Sequence, residues 1–329
     1  MATKDVFSGI KRYEEEIRTM DAEWLRKEFG FVSSGRLNVA KLIRNLIWQA
    51  YTNIRDGKRE TIDSNIRGFW YTDVKPVLSR LGLQTEGRTY TERVYDCLLE
   101  MVAVHRLFNY ADFGFVDETE GMKYIGKTNV HVVVFVEKDG LFPIVRRLAE
   151  KYDCVGVSTG GYPSILSAEY LIRGIARHTH LRHHFDVLSI VDYDPNGRII
   201  EKEFVEQLRL FDMEDLSLHQ IVHPKHLSEE QIELSKYRLK AVKKTKSWVE
   251  ETGGLNGEAY GVEANAFTSK QIEEIFVSHV GERLREPEEE VPTASRVEAI
   301  EKRLGAIEEL MRRMLERMGM EEEKKEAGS

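Results

Sequence analysis

Tyr71 closes the stretch "RGFWY", with Arg67 four residues before it and Lys75 four after. On a helix these three would share one face, because residues four apart are neighbours there. A phenol flanked by cations is a candidate nucleophile, since positive charge favours phenolate and can also hold a phosphate. Ile66, Trp70, Val74 and Val77 form an adjacent apolar stripe that should face a core, leaving Tyr71 at its edge. Packing is the plainer use of such a tyrosine. A second constellation is acidic: Glu137 follows the apolar run "NVHVVVFV", and Asp192 and Asp194 follow "FDVLSIV". Ligands of open parallel sheets gather at the carboxyl ends of strands. Three carboxylates there, with Gly140 and Gly197 allowing tight turns, suit a hard cation such as Mg²⁺. The same acids could equally start loops or cap the helices that follow.

Two other patterns weigh less. "GMKYIGKT", Gly121 to Thr128, matches the GxxxxGK[ST] phosphate loop letter for letter. That loop needs a strand before it and a helix after it, whereas here a loop precedes and a strand follows, so an ATP site is not expected. His178, His180, His183 and His184 of "RHTHLRHHF" could bind a metal, but no cysteine pair is near them, and a basic surface loop is the preferred reading.

The elements that would position these residues fall into two groups. Residues 10–29 read as a charged helix. Residues 38–54 read as an amphipathic helix capped by Asn38, residues from Asp63 or Ser64 onward as a helix carrying Tyr71 that Pro76 should end or kink, and 90–108 as a third helix. Three helices followed by a loop-rich segment suggest a helix-turn-helix or winged-helix unit. From residue 129 strands alternate with helices, the pattern of a parallel α/β sheet. "REPEEEVPTAS" reads as a linker. Beyond it Val297, Ile300, Leu304, Ile307, Met311, Met314 and Met318 recur at spacings of three and four, which argues for a coiled coil over a helix docked on its own domain. The expected organisation is a helical extension over 1–34, a winged-helix domain over 35–122, an α/β metal-binding domain over 123–285, a linker over 286–294, a coiled coil over 295–318 and a disordered tail over 319–329, α/β in class and α+β overall.

Net charge is −8, yet it is unevenly placed. Residues 281–329 hold 14 acidic and 10 basic residues, whereas residues 31–80 hold nine basic residues against four acids, an excess of +5 that includes Lys58, Arg59, Arg67 and Lys75. A local basic surface matters more to a polyanion than the total does, so Lys58, Arg59 and Lys75 are candidate DNA contacts. Cys97 and Cys154 both lie in apolar segments and read as buried thiols of a reducing compartment. With no apolar run of membrane-spanning length and no signal-peptide core, a cytoplasmic protein is expected.

Together the motifs resemble the A subunit of DNA topoisomerase VI and its relative, the meiotic double-strand-break protein. "RGFWY" resembles that family's Arg-x-x-x-Tyr nucleophile motif on a winged helix. "VEKDG" (Val136 to Gly140) and "VDYDPNG" (Val191 to Gly197) resemble the two acidic motifs of its TOPRIM domain, with the glycine-rich turn "STGGYPS" between them. The chain is most similar to the reduced, stand-alone "mini-A" versions. It departs from the family near Gly160, where a lysine is usual, near Ala168, where an arginine is usual, and in its C-terminal heptads. The resemblance implies a nucleoid-associated homodimer in which Tyr71 attacks a DNA phosphodiester, Arg67 supports the phosphate, and Glu137, Asp192 and Asp194 hold Mg²⁺. It also implies topoisomerase-type double-strand cleavage through a 5′-phosphotyrosyl link, with tyrosine and metal contributed by different protomers. An ATPase B-type subunit is an open question on the same basis, as is higher association through the coiled coil. Two other readings stand beside it: a DNA-binding protein of this fold that cleaves little or nothing alone, and a TOPRIM nuclease that uses water.

Overall fold

The computed structural model describes residues 9–285, apart from residue 33 and residues 86–88. The expected linker, coiled coil and tail, 286–329, lie outside the described residues, and residues 9–285 belong to one compact unit.

The helical part comes first. Helix α1 (Ala22–Phe29) is capped by Asp21, whose side chain accepts from the Trp24 N–H, and α2 (Val39–Arg55) is capped by Asn38 in the same way. The expected helix over 10–29 is therefore only half right. Residues before Asp21 run as turns because side chains of α2 take their backbone groups: Lys11 N–H donates to Asn45 Oδ1 at 2.8 Å, and Ile17 N–H to Gln49 Oε1 at 2.6 Å. Long-range amide partners replace the i→i−4 ladder that a helix would have offered. Helix α3 (Ile66–Phe69) is capped by Asn65 rather than by Asp63 or Ser64, and passes through a π-helical turn, Trp70–Val74, into α4 (Lys75–Arg80). Pro76 sits at the start of α4 and does not end the helix. A proline ring clashes with the carbonyl four residues back, and the wider π turn takes up that clash. Helix α5 (Thr89–Leu99) ends in a second π turn, Glu100–Val104. Ile66, Phe69, Trp70, Val74 and Val77 are buried with Leu42, Leu46, Phe113 and Phe115 in the first core.

Next come β1 (Lys123–Ile125), β2 (Asn129–Val136), α6 (Phe142–Tyr152), β3 (Cys154–Ser158), α7 (Ile165–Ile175), β4 (Phe185–Ile190), α8 (Pro195–Leu210) and β5 (Leu216–Gln220). They build a five-stranded sheet in the order β1-β3-β2-β4-β5. All pairs are parallel except β1 with β3, so the expected parallel sheet carries one antiparallel edge strand. That strand lies inside "GMKYIGKT", where the sequence suggested only loop. The backbone N–H groups of Lys127 and Thr128 donate to the Asp153 carboxylate at 3.1 and 2.8 Å, an arrangement unlike a phosphate loop. In β2 and β4 alternate side chains enter two cores. Val132, Val134, Val136 and Leu188 pack on α6, and Val133, Phe135 and Val187 pack on α7 and α8. Covering both faces explains why these strands read as unbroken apolar runs.

The chain ends, among the described residues, with α9 (Glu229–Ser235), β6 (Lys236–Arg238), α10 (Lys243–Thr252), β7 (Tyr260–Val262) and α11 (Ser269–Val280). β6 and β7 form a small antiparallel pair, and α11 covers the same sheet face as α6. Both cysteines are buried. Among the described residues no helix is long and apolar enough to cross a membrane.

Candidate functional site

Tyr71 lies in the π turn, between buried Trp70 and exposed Thr72. Trp70 is 2% exposed and Asp73 3%, whereas Tyr71 itself is 49% exposed. The Arg67 guanidinium lies 6.0 Å from the centre of the Tyr71 ring and the Lys75 ammonium 5.0 Å. The spacing of four thus gathers the three side chains even though the backbone between them is wider than an α-helix. Below the turn, Asp73 accepts from Arg59 Nη1 at 2.5 Å and Nη2 at 2.9 Å, and from Thr72 Oγ1 at 2.6 Å. Arg59, a candidate DNA contact by sequence, is therefore committed to a half-buried ion pair that anchors the tyrosine's turn. Lys58 is exposed beyond α2 in a cleft shared with Lys11, Tyr13 and Glu16. Other cations of the basic stretch are engaged as well: Arg44 with Glu100, Arg55 with Asp56, and Arg80 with the backbone carbonyls of Arg18 and Met20.

The acids come together at the ends of the two central strands. Val136 and Ile190 are paired in register, so Glu137 and Asp192 follow from adjacent parallel strands. The next strand after β2 lies on one side of it and β4 on the other, which makes the β2/β4 gap the place where strand order reverses. Such a switch point leaves a crevice outside the carboxyl ends, the usual ligand position of an open α/β sheet. Burial pushes the Glu137 carboxyl above its usual range, with Asp192 and then Asp194 adding to the rise while Lys138 opposes it. Glu137 therefore feels the charge of both aspartates.

Each aspartate is held. Lys138 Nζ stands 2.9 Å from Asp192 Oδ1 and 2.8 Å from Oδ2, and the Ala264 N–H donates to Oδ1 at 2.9 Å. Asp194 caps α8, accepting from the Gly197 N–H at 2.7 Å, and its other oxygen accepts the Tyr237 hydroxyl at 2.8 Å. A Cβ at residue 197 would fall 2.0 Å from the Asp192 carbonyl oxygen, so only glycine fits there. The capping role and the cluster thus coexist. Among the described residues no group of three or more His, Cys, Asp or Glu side chains, Glu137, Asp192 and Asp194 included, is placed so as to hold a metal ion as it stands. The donor chemistry nonetheless fits a hard cation: oxygen-only ligands, mutually repelling, with an ammonium already drawn to them.

Lys138, Tyr237 and the Ala264 amide were missed at the sequence level. Lys138 had a signal in its position directly after Glu137; Tyr237 and Ala264 had none. Asp139, in the same run as Glu137, turns instead toward Ser158, whose hydroxyl donates to it at 2.7 Å beside the turn at Gly160 and Gly161. The histidine-rich stretch forms the loop between α7 and β4, where His184 Nδ1 lies 2.9 Å from Asp215. Comparison with protein-family models and with curated proteins returned no match.

Proposed function

We propose that the protein is a homodimeric, Mg²⁺-dependent DNA-binding protein resembling the topoisomerase VI A subunit, and that it cleaves duplex DNA through Tyr71. The observation that carries this reading is the pairing of an exposed tyrosine under two cations with a carboxylate cluster at a sheet switch point. The winged-helix and TOPRIM assignments belong to the same proposal. In it, Arg67 and Lys75 draw a backbone phosphate against the Tyr71 hydroxyl. The phenol gives up its proton as its oxygen bonds to phosphorus, the P–O3′ bond breaks, and the 3′-oxygen takes up one proton in exchange and leaves as a hydroxyl. Glu137, Asp192 and Asp194 would hold Mg²⁺, which supplies charge stabilisation for the phosphate and the leaving oxygen.

The test is covalent attachment. Supercoiled plasmid incubated with protein and Mg²⁺, then denatured, should carry protein on its 5′ ends. Tyr71→Phe should keep DNA binding and lose attachment. Covalent adducts persisting in Tyr71→Phe would place the nucleophile elsewhere. A binding-only protein is the second reading, favoured by the engagement of both Asp192 oxygens by Lys138 and of both Asp194 oxygens by protein donors. It yields salt-dependent DNA retention and no adduct in wild type.

A further inference from the structure

A cavity of about 450 Å³ opens where the helical part meets α7 and the C-terminal end of α8, lined by residues that belong to neither candidate centre. Its apolar wall includes Tyr51 and Phe108 from the helical side and Ile172 and Leu210 from the sheet side. Set into that wall is Glu169 of α7, 2% exposed. One of its oxygens accepts the Tyr110 N–H at 2.9 Å, while Oε1 is buried with no hydrogen-bond partner among the described residues. Arg173 comes no nearer to Oε1 than 3.9 Å, beyond hydrogen-bond reach. The Tyr110 hydroxyl, on a fully buried ring, also lacks a partner among the described residues. An orphaned carboxylate oxygen on a cavity-lining residue, with a second orphan on the residue whose N–H it accepts, calls for an explanation.

Charge selects the ligand. Asp112, Glu169 and Asp212 line the cavity against Arg106 and Arg173, so three acids and two arginines leave one negative charge when all are ionised. Arg106 and Asp212 cancel each other in a two-pronged pair at 2.5 and 2.6 Å. Asp112 accepts the Asn109 N–H at 2.7 Å. Arg173 faces Glu169 Oε1 at 3.9 Å as an ion pair without a hydrogen bond, so the lining keeps one net negative charge and Oε1 is the acceptor left without a donor among the described residues. We propose that this cavity binds a small monocationic amine with an apolar body, its ammonium donating to Glu169 Oε1 and its body resting on the wall formed by Phe108 and Ile172. Ligands of this kind bind in mostly apolar clefts with a few placed polar groups, and this cavity is of suitable size. Because the walls come from both parts of the molecule, a bound amine would bridge them.

Burial pushes the Glu169 carboxyl up to about 7, against the lowering effect of the Tyr110 N–H and Arg173. Binding an ammonium therefore drives a proton off Glu169 near neutral pH. Calorimetry with phenethylamine as the probe, and 2-phenylethanol as its uncharged counterpart, tests the proposal on the full chain without DNA. The expected result is saturable amine binding at least about ten-fold tighter than the alcohol. Proton release should show as dependence on the buffer's ionisation heat, and affinity should rise from pH 6 to pH 8. Glu169→Gln should bring amine and alcohol together. Equal affinities in wild type, an amine preference that survives Glu169→Gln, or no saturation by either probe at millimolar concentration would each overturn it. If Glu169→Gln does not fold, the wild-type pH dependence decides: a flat profile refutes the role of Glu169.

Discussion

Replacing Arg59 by methionine should loosen the turn that carries Tyr71. Asp73 has a side chain only 5% exposed, and Arg59 provides its two-pronged partner at 2.5 and 2.9 Å. Breaking a buried pair by removing one partner leaves an uncompensated charge, at a cost of about 3–5 kcal/mol. Thr72 Oγ1 still donates to Asp73 at 2.6 Å, and the Arg18 guanidinium remains 3.9 Å from it. Those groups soften the loss, so the low end, about 3 kcal/mol, is expected. At about 2.1 cal/mol/K of unfolding entropy per residue, that is a fall in Tm of roughly 4–5 °C for a chain of this size. Urea denaturation at pH 7, followed by circular dichroism, gives the free energy, and an unchanged slope shows that the unfolded state is not the cause. The double variant Arg59→Met/Asp73→Leu removes both charges at similar volume and should recover most of the loss, since an apolar pair can match a buried ion pair. Amide exchange over residues 70–74 should speed up in Arg59→Met and return toward wild type in the double variant. A single-variant cost below about 1 kcal/mol, or a double variant no better than the single, would falsify the anchoring argument.

Two further outcomes follow from the buried carboxylates. Glu169 rises from 4.5 to about 7, so the folded state favours its protonated form. Its contribution to stability is complete below about pH 4.5 and lost as pH climbs through 7, up to roughly 3 kcal/mol, and urea midpoints of Glu169→Gln should be flatter with pH than those of wild type. A wild-type profile already flat between pH 5 and pH 8 counts against the burial. Lys138→Met should strengthen Mg²⁺ binding several-fold by removing the ammonium that competes for Asp192, with affinity rising with pH as the raised Glu137 ionises. Calorimetry that finds the affinity unchanged or weakened would mean that Lys138 does not occupy the cation's place.

Local pattern determined much of this protein from the sequence alone. Unbroken apolar runs marked β2 and β4 as strands covered on both faces, and Glu137 and Asp192 follow them at neighbouring strand ends. The Asn38 cap and the apolar stripe of Ile66, Trp70, Val74 and Val77 were legible because capping and helical period are encoded within a few residues. The four-residue spacing of Arg67, Tyr71 and Lys75 was readable too, although the π turn between them was not. Tertiary structure decided what depends on partners distant in sequence. Strand order put the switch point between β2 and β4, and β1 became an antiparallel edge inside a stretch that imitates a phosphate loop. Residues 9–20 left the helix their charges suggested because Asn45 and Gln49 capture their backbone. Arg59 looked like a surface cation until Asp73, fourteen residues on, claimed it. Glu169 reads as an ordinary helical glutamate, and only the meeting of α7 with the helical core buries it. A sequence displays period and propensity, but it does not display which distant group will satisfy or strand a charge, because that depends on how the finished core closes around it.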